Sequence, residues 1–374
     1  MTRWATEAEG RLAKELKKEN PQAKARKKKA LKWCCTFGWV ELFERMWKFN
    51  GRQRYHRLLA AKVAVRANGY SRRARRVISD FAAEHSYRRA GDRIREHYGL
   101  ELNPSAIGTI TMQVAQACSE MLEKEYAKAF RALEPKGKKV IIAQADGSLV
   151  STVPAGKKTA KRARDWREIR ITSAVADQEV DPVYAATMGS VEEVGRRWGH
   201  CARQAGRGLK SKVHALGDGA EWIRLQSEEV FGQQGQFLCD FYHVGEYLAA
   251  AAERCRPSKP RQWLKTQQRR LRSEKLSKML EDLEEHLEAP GVPEKEAPVR
   301  QCYRYLTNRR ENLNYSQAEA QGLPIGSGQI ESGHKHVLQA RLKQAGMAWL
   351  PDNAHKMAQL RVVRANNDWN ALWN

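Results

Sequence analysis

Apolar residues recur at helical spacing from about Ser71 onward. Ser71 is placed to cap a helix over 72–84, and Ser86 to cap a second over 87–98, with Ala90 and Ile94 on its inner face. Gly99 stops the second helix, and the turn Leu100–Pro104 opens a third, with Ile107, Ile110, Val114 and Ala117 on one stripe. Before this, residues 36–48 are rich in β-formers and predict one or two strands. After it the period changes. Residues 138–145 form a short, nearly continuous apolar run, which predicts a central strand ended by Asp146-Gly147, with Ser148–Pro154 returning as the next strand. A basic loop follows (Lys157, Lys158, Lys161, Arg162, Arg164), then a strand over 168–176, a helix over 191–206, and strands over 212–216 and 237–241. Three strands, a helix, a strand, a helix and a strand predict an α/β core. Residues 244–320 are rich in Ala, Leu and Glu, with helical stretches at about 244–254, 260–288 and 297–312 broken by Pro290 and Pro293. They predict an all-helical insertion. A glycine turn at 323–328 then leads into a last helix through about Gln344.

The chain has 374 residues, of which 41% are hydrophobic, enough for two or three domains with ordinary cores. Its formal charge is +24, and the surplus is uneven. Residues 1–140 carry 32 basic and 15 acidic side chains, and residues 141–374 carry 35 and 28. Lys24, Arg26, Lys27, Lys28, Lys29 and Lys32 fall within residues 1–33, which therefore predict a basic arm, either a solvated tail or one that folds on phosphates. Arg72, Arg73, Arg75, Arg76, Arg88, Arg89, Arg93 and Arg95 crowd the helical unit. They favour a DNA-binding helix-turn-helix over a plain helical hairpin. No apolar run approaches the roughly 18 residues of a membrane span, and the N-terminus lacks a secretory core, so a cytoplasmic, nucleoid-associated protein is expected. Seven cysteines, with Cys34 and Cys35 adjacent and no C-x-x-C, disfavour a disulfide framework or a zinc ribbon.

Three carboxylates stand out by order and spacing. Asp146 and Asp218 each follow an apolar strand, with 71 residues between them, and Glu331 comes after another 112 intervening residues, in the first turn of the last helix. Lys335, Leu338 and Leu342 are expected on the face of Glu331, so that the helix packs on a sheet while offering a carboxylate and a cation to a phosphate. Singly, Asp-Gly is a turn dipeptide and Glu331 a helix N-terminal acid. Together they suit hard divalent cations in phosphodiester chemistry.

The strings Gln144-Ala145-Asp146-Gly147, Leu216-Gly217-Asp218-Gly219-Ala220-Glu221-Trp222-Ile223, Cys239-Asp240-Phe241-Tyr242-His243 and Leu323-Pro324-Ile325-Gly326-Ser327-Gly328-Gln329-Ile330-Glu331-Ser332 resemble those of bacterial insertion-sequence transposases of the DDE type, the Kra-type group within the Mutator-like superfamily. The resemblance extends upstream to Glu96-His97-Tyr98-Gly99 and downstream to Arg364-Ala365-Asn366-Asn367-Asp368-Trp369. It implies a ribonuclease-H-like catalytic core interrupted by a helical insertion before the glutamate helix. It also implies Asp146, Asp218 and Glu331 as metal ligands for two Mg²⁺ or Mn²⁺ ions, and Asp240 and His243 as further catalytic residues.

The resulting expectation is a DNA transposase that cleaves element ends and joins them to target DNA. Its organisation is a basic arm (1–35), a mainly helical DNA-binding region (36–135), the two parts of the catalytic domain (136–243 and 321–374), and the insertion (244–320). Terminal inverted repeats and target DNA are the expected partners, held by Lys24, Arg26, Lys27, Lys28, Lys29, Arg72, Arg73, Arg75, Arg76, Lys335 and Arg341. A dimer or larger assembly is expected because two DNA ends are joined. A simple nuclease or resolvase without strand transfer, and a retired transposase kept as a DNA-binding protein, are the alternatives.

Overall fold

The computed structural model describes residues 1–49, 55–65, 69–128, 132–154 and 164–374. Of the expected basic loop, Lys157, Lys158, Lys161 and Arg162 lie outside the described residues. The protein is mixed α/β with two sheets and divides into two compact units, residues 1–118 with 369–374, and residues 119–368. Among the described residues no helix is long and apolar enough to cross a membrane.

The first unit opens with helix α1 (Thr2–Glu19), followed by the antiparallel strands β1 (Lys24–Cys35) and β2 (Gly38–Lys48). This corrects the basic arm: its lysines belong to a strand, and α1 buries Ala5 and Ala8 against Leu31, Trp33, Val40 and Leu42. Alternation explains the adjacent cysteines, because Cys35 joins that core while Cys34 points to the opposite face. After the short α2 (Leu58–Lys62) and β3 (Gly69–Tyr70) come α3 (Arg72–Glu84), α4 (Tyr87–Tyr98) and α5 (Pro104–Tyr126). The Ser71 hydroxyl accepts from the Ala74 amide at 3.2 Å, and that of Ser86 from the Arg89 amide at 3.3 Å. Gly99 ends α4 at φ +63°, a left-handed position that glycine takes without strain. Ile78, Ala90, Ile94, Ile107 and Ile110 close the helical core around Cys34. Helix α5 continues past the expected end at residue 118, to Tyr126.

The second unit is built on a five-stranded sheet. Its strands are β4 (Val140–Thr152), β5 (Asp165–Ala176), β6 (Val183–Thr187), β7 (Lys212–Gly217) and β8 (Gly235–Cys239), in the order β6-β5-β4-β7-β8. β4, β5 and β6 run antiparallel, while β7 and β8 run parallel to β4. Helices α6 (Val191–Gln204) and α7 (Glu221–Phe231) supply the crossovers. On one face α6 buries Trp198, whose indole donates to the Ser173 carbonyl at 3.3 Å. Residues 138–154 form one strand, not two. Asp146-Gly147 does not turn, because β5 pairs with β4 continuously from Ile141 to Thr152. Asp146 therefore lies inside a strand.

Helices α8 (Phe241–Cys255), α9 (Pro260–Arg272), α10 (Leu276–Glu284), α11 (Pro298–Asn308) and α12 (Tyr315–Ala320) form the helical stretch, and the segment expected as one helix over 260–288 breaks at 273–275. The last helix is composite: α13 (Gly328–Gly333), a π-helical turn His334–Gln339, and α14 (Ala340–Leu342). Helix α15 (Pro351–Ala365) follows and buries Met357, Leu360, Val362 and Val363.

Candidate active site

One face of the five-stranded sheet gathers the carboxylates. In a strand, alternate residues share a face, so Gln144, Asp146 and Ser148 project together from β4. The parallel ladder matches Ile142 with His214 and Gln144 with Leu216. Two residues further along, Asp146 is level with Asp218, which leaves the end of β7. The segment 324–334 lies on this face. The Gln144 side chain accepts from the Ile330 amide at 2.8 Å, His214 Nε2 is 2.8 Å from the Pro324 carbonyl, and Ser148 Oγ is 3.3 Å from His334 Nδ1. Glu331 follows Ile330 directly, so it stands on the face that bears Asp146 and Asp218, exposed to solvent.

The electrostatics agree with that placement. Burial pushes the Asp146 carboxyl up to about 6. The Gly147 amide, donating to Oδ1 at 2.7 Å, opposes the rise, and the charges of Asp218 and Glu331 add to it. His243 acts on Asp146 in the opposite sense. His334 Nε2 sits 3.2 Å from Asp146 Oδ2, and burial pushes this imidazole down to about 4. The sequence reading missed His334, although it falls one helical turn after Glu331. The Asp218 loop is held from the insertion. Tyr305 donates to the Asp218 carbonyl at 2.7 Å, and Arg309 to that of Gly219 at 2.6 Å. Gly219 has φ +82°, and a side chain there would meet both the Tyr305 hydroxyl and the Arg309 guanidinium.

Arg341 needs correction as a DNA contact, and Asp240 has a structural role beside the one the resemblance implies. Asp240 is 2% exposed and fully engaged. Its Oδ1 accepts from the amides of Tyr242 (2.6 Å) and His243 (3.2 Å), capping α8. Its Oδ2 accepts from the Ser327 amide at 2.8 Å and from the Ser327 hydroxyl. Asp240 is thus a clamp between the end of β8 and the glycine turn, not a group facing solvent. Gly326 fits this clamp because a Cβ there would lie 2.6 Å from the Tyr242 ring. Arg341 is 1% exposed, with its guanidinium 4.7 Å from the centre of the Trp349 ring, so it does not offer its charge at the surface. Leu338 and Leu342 are buried and do not share the exposed face of Glu331 and Lys335. The cation that Arg341 was expected to supply is replaced by Lys343, which lies near enough to act electrostatically on both Asp146 and His334. His243, one-third exposed, has Nδ1 3.3 Å from Glu246 and packs its ring edge-on to Tyr247.

The donor chemistry suits divalent cations, since three carboxylates offer hard oxygen and their mutual repulsion is what a cation relieves. Among the described residues, no group of three or more His, Cys, Asp or Glu side chains is already arranged to hold a metal ion.

The Asp146–His334 pair makes a testable statement about the metal-free protein. Asp146 goes from 3.8 to about 6 on folding, and His334 from 6.5 to about 4. Between about pH 4 and 6 the folded pair holds one proton, on Asp146. The unfolded pair also holds one, on His334. Their contributions to the pH slope of stability have opposite signs and cancel over that window. Asp146→Asn removes one partner. Its stability should then rise with pH from about 4 to 6 relative to wild type, by up to about 1.4 kcal/mol per pH unit. Denaturant melts of both proteins in a chelator, at several pH values, check this. Parallel pH profiles would show that the two groups do not share a proton.

The basic residues expected to meet DNA lie in the first unit. Lys24, Arg26, Lys27, Lys28 and Lys29 are exposed along β1, and Arg72 and Arg73 are exposed on α3. Arg75 and Arg76 are half-buried. Arg72 donates to the Asn374 carbonyl at 2.6 Å and Arg76 to Asn370 Oδ1 at 2.6 Å, so part of this surface is already committed within the unit. Arg88, Arg89, Arg93 and Arg95 are exposed on α4.

The model of the Uncharacterised protein family (UPF0236) matches residues 6–371, and the chain belongs to that family. No curated protein matches it.

Proposed function

We propose that this protein is a DNA transposase whose second unit has a ribonuclease-H-like core. The observation that carries the reading is that Asp146 within β4, Asp218 just past the end of the parallel neighbour β7, and the electrostatic influence of Asp218 and Glu331 on Asp146 point to one shared carboxylate cluster. The sheet order supports it: three antiparallel strands followed by two parallel ones added beside the first is the ribonuclease-H arrangement. The helical stretch between β8 and the glutamate helix supports the interrupted form that the sequence resemblance implies. The succession α3, α4, α5, with exposed arginines on α4, supports a helix-turn-helix reading of the first unit.

In this reading Asp146, Asp218 and Glu331 would hold divalent cations. When bound, such ions lower the pKa of water and neutralise charge on the scissile phosphate. The chain's own groups do the rest. Asp240 and Gln144 fix the glycine turn and the start of α13, and so the position of Glu331. Tyr305 and Arg309 fix the backbone of Asp218. Lys335 and Lys343 place positive charge beside the carboxylates, where a phosphodiester would enter. Water attack frees a 3′-OH at the element end, and that hydroxyl then attacks a target phosphodiester in the same site.

The experiment is strand transfer. A precleaved duplex carrying the inverted repeat that flanks the gene, mixed with plasmid and Mg²⁺, is expected to give joined products. Cleavage without any joining would reassign the protein to a nuclease or resolvase.

A further inference from the structure

The β1–β2 ribbon exposes aromatic rings: Phe37 and Phe43 stand largely in water, and Trp39 keeps nearly half its surface open while packing 5.9 Å from Tyr70. Its inner face is apolar and covered, through Leu31, Trp33, Val40 and Leu42 against α1. The register pairs Lys28 with Arg45, Ala30 with Phe43, Lys32 with Glu41 and Cys34 with Trp39 on the opposite side; Cys34 is buried in the helical core and the Arg45 guanidinium is 3.3 Å from Glu9, so the open outer face is Lys28, Ala30, Lys32, Glu41, Phe43 and part of Trp39. Phe43 is 63% exposed and Trp39 45%, about 13 Å apart along β2, and Phe37 in the connecting turn is 81% exposed. The Lys32 ammonium lies 5.5 Å from the centre of the Trp39 ring and 3.6 Å from Glu41, so the one acid on this face is matched. Every residue from Lys24 to Ala30 is exposed, and β3 joins β1 only at Trp33 and Cys34.

Lysines on an open strand edge also discourage edge-to-edge pairing, and that alone explains their presence. It does not explain two large rings standing in water between them. A duplex offers phosphates and groove edges, with its base faces already stacked. Unpaired DNA offers bare base faces beside a phosphate chain, and aromatic side chains between cations meet both.

We propose that the outer face of the β1–β2 ribbon binds single-stranded DNA, with Trp39 and Phe43 stacking on bases while Lys28, and Lys32 on exchanging its Glu41 partner for the strand, neutralise phosphates. This rests on the transposase reading for its source of unpaired strand, the cut element ends. Its occupant is argued from the charge and the rings alone.

The test uses the full chain, labelled dT20, rU20 and a 20-base-pair duplex, with fluorescence anisotropy at two salt concentrations. Phe43→Ala and Trp39→Ala should each weaken dT20 binding about ten-fold and leave duplex binding within about two-fold. Phe43→Tyr and Trp39→Phe should retain most of the affinity. Lys28→Ala combined with Lys32→Ala should reduce the salt slope on dT20 by about 1.4. Trp39 packs 5.9 Å from Tyr70, so melting curves accompany each variant, and Phe43, whose side chain is more exposed, decides if the Trp39 variant unfolds. Unchanged dT20 affinity in Phe43→Ala, an equal loss on duplex, or tighter binding of rU20 than dT20 overturns the proposal. Glu319→Gln, on α12 of the second unit, should bind dT20 like wild type. Absence of cleavage by the wild-type chain would therefore remove the transposase reading while leaving the ribbon result standing.

Discussion

Asp240→Ala should destabilise the second unit by about 3 kcal/mol, lowering its melting midpoint by roughly 6–12 °C. The carboxylate is buried and accepts from two amides at the start of α8 and from the amide and hydroxyl of Ser327. Losing an N-cap costs about 1 kcal/mol, and a buried amide left without an acceptor costs about 1–3 kcal/mol more. Asp240→Asn is the informative companion. Its carbonyl oxygen keeps the cap, but its amide nitrogen then faces the Ser327 N–H, donor against donor. It should fall between wild type and Asp240→Ala in stability. Its cleavage should drop only as far as the glycine turn loosens. Calorimetry and end-cleavage assays on the three proteins separate the roles. A fully stable Asp240→Asn protein without cleavage would restore Asp240 to the reacting groups.

The parts of the fold set by local chemistry were legible in the sequence. Ser71, Ser86 and Gly99 announce helix ends by themselves, because a cap needs one hydroxyl or one positive φ. The change from helical to strand character after residue 138 was legible from the change of period, as were β5, α6, β7, β8 and the helical character of 244–320. What failed depended on partners distant in sequence. Asp146-Gly147 has the composition of a turn, yet twelve residues of β5 pair straight through it. Lys24–Lys29 have the composition of a solvated arm, yet β2 lies opposite and α1 roofs the ribbon through small residues, Ala5 and Ala8, that give little helical signal. β6, five residues after Pro182, was invisible between its neighbours.

Within the candidate site, the three carboxylates were legible by order and spacing, while the groups around them were not. An α-helical count from Glu331 put Lys335, Leu338 and Leu342 on its face, and Arg341 was expected to reach DNA. The π-helical turn at His334–Gln339 adds a residue to the turn and changes which side chains point inward. Arg341 goes under Trp349, and Lys343 takes the place beside Asp146. Tyr305 and Arg309 carried no signal at all, since a side chain gripping a backbone carbonyl more than 80 residues away leaves no local pattern.

Glu331→Gln tests the central claim most directly. The amide keeps nearly the shape and reach of the carboxylate but removes one negative charge from the set that raises Asp146, and an amide is a poorer ligand for a hard cation. DNA binding should survive or tighten slightly, because the lost charge repels phosphates. Asp146→Asn and Asp218→Asn should behave alike. Glu319→Gln is the control. It removes only a partly exposed ion pair from Glu319 on α12 to Arg272 on α9, worth at most about 1 kcal/mol, and should stay active. The measurement is cleavage of an end-labelled duplex bearing the flanking inverted repeat, in Mg²⁺, beside a gel shift on the same DNA. The account predicts that Glu331→Gln cleaves at least about a thousand-fold more slowly than wild type while shifting the DNA normally. Wild-type cleavage rates in Glu331→Gln would contradict it.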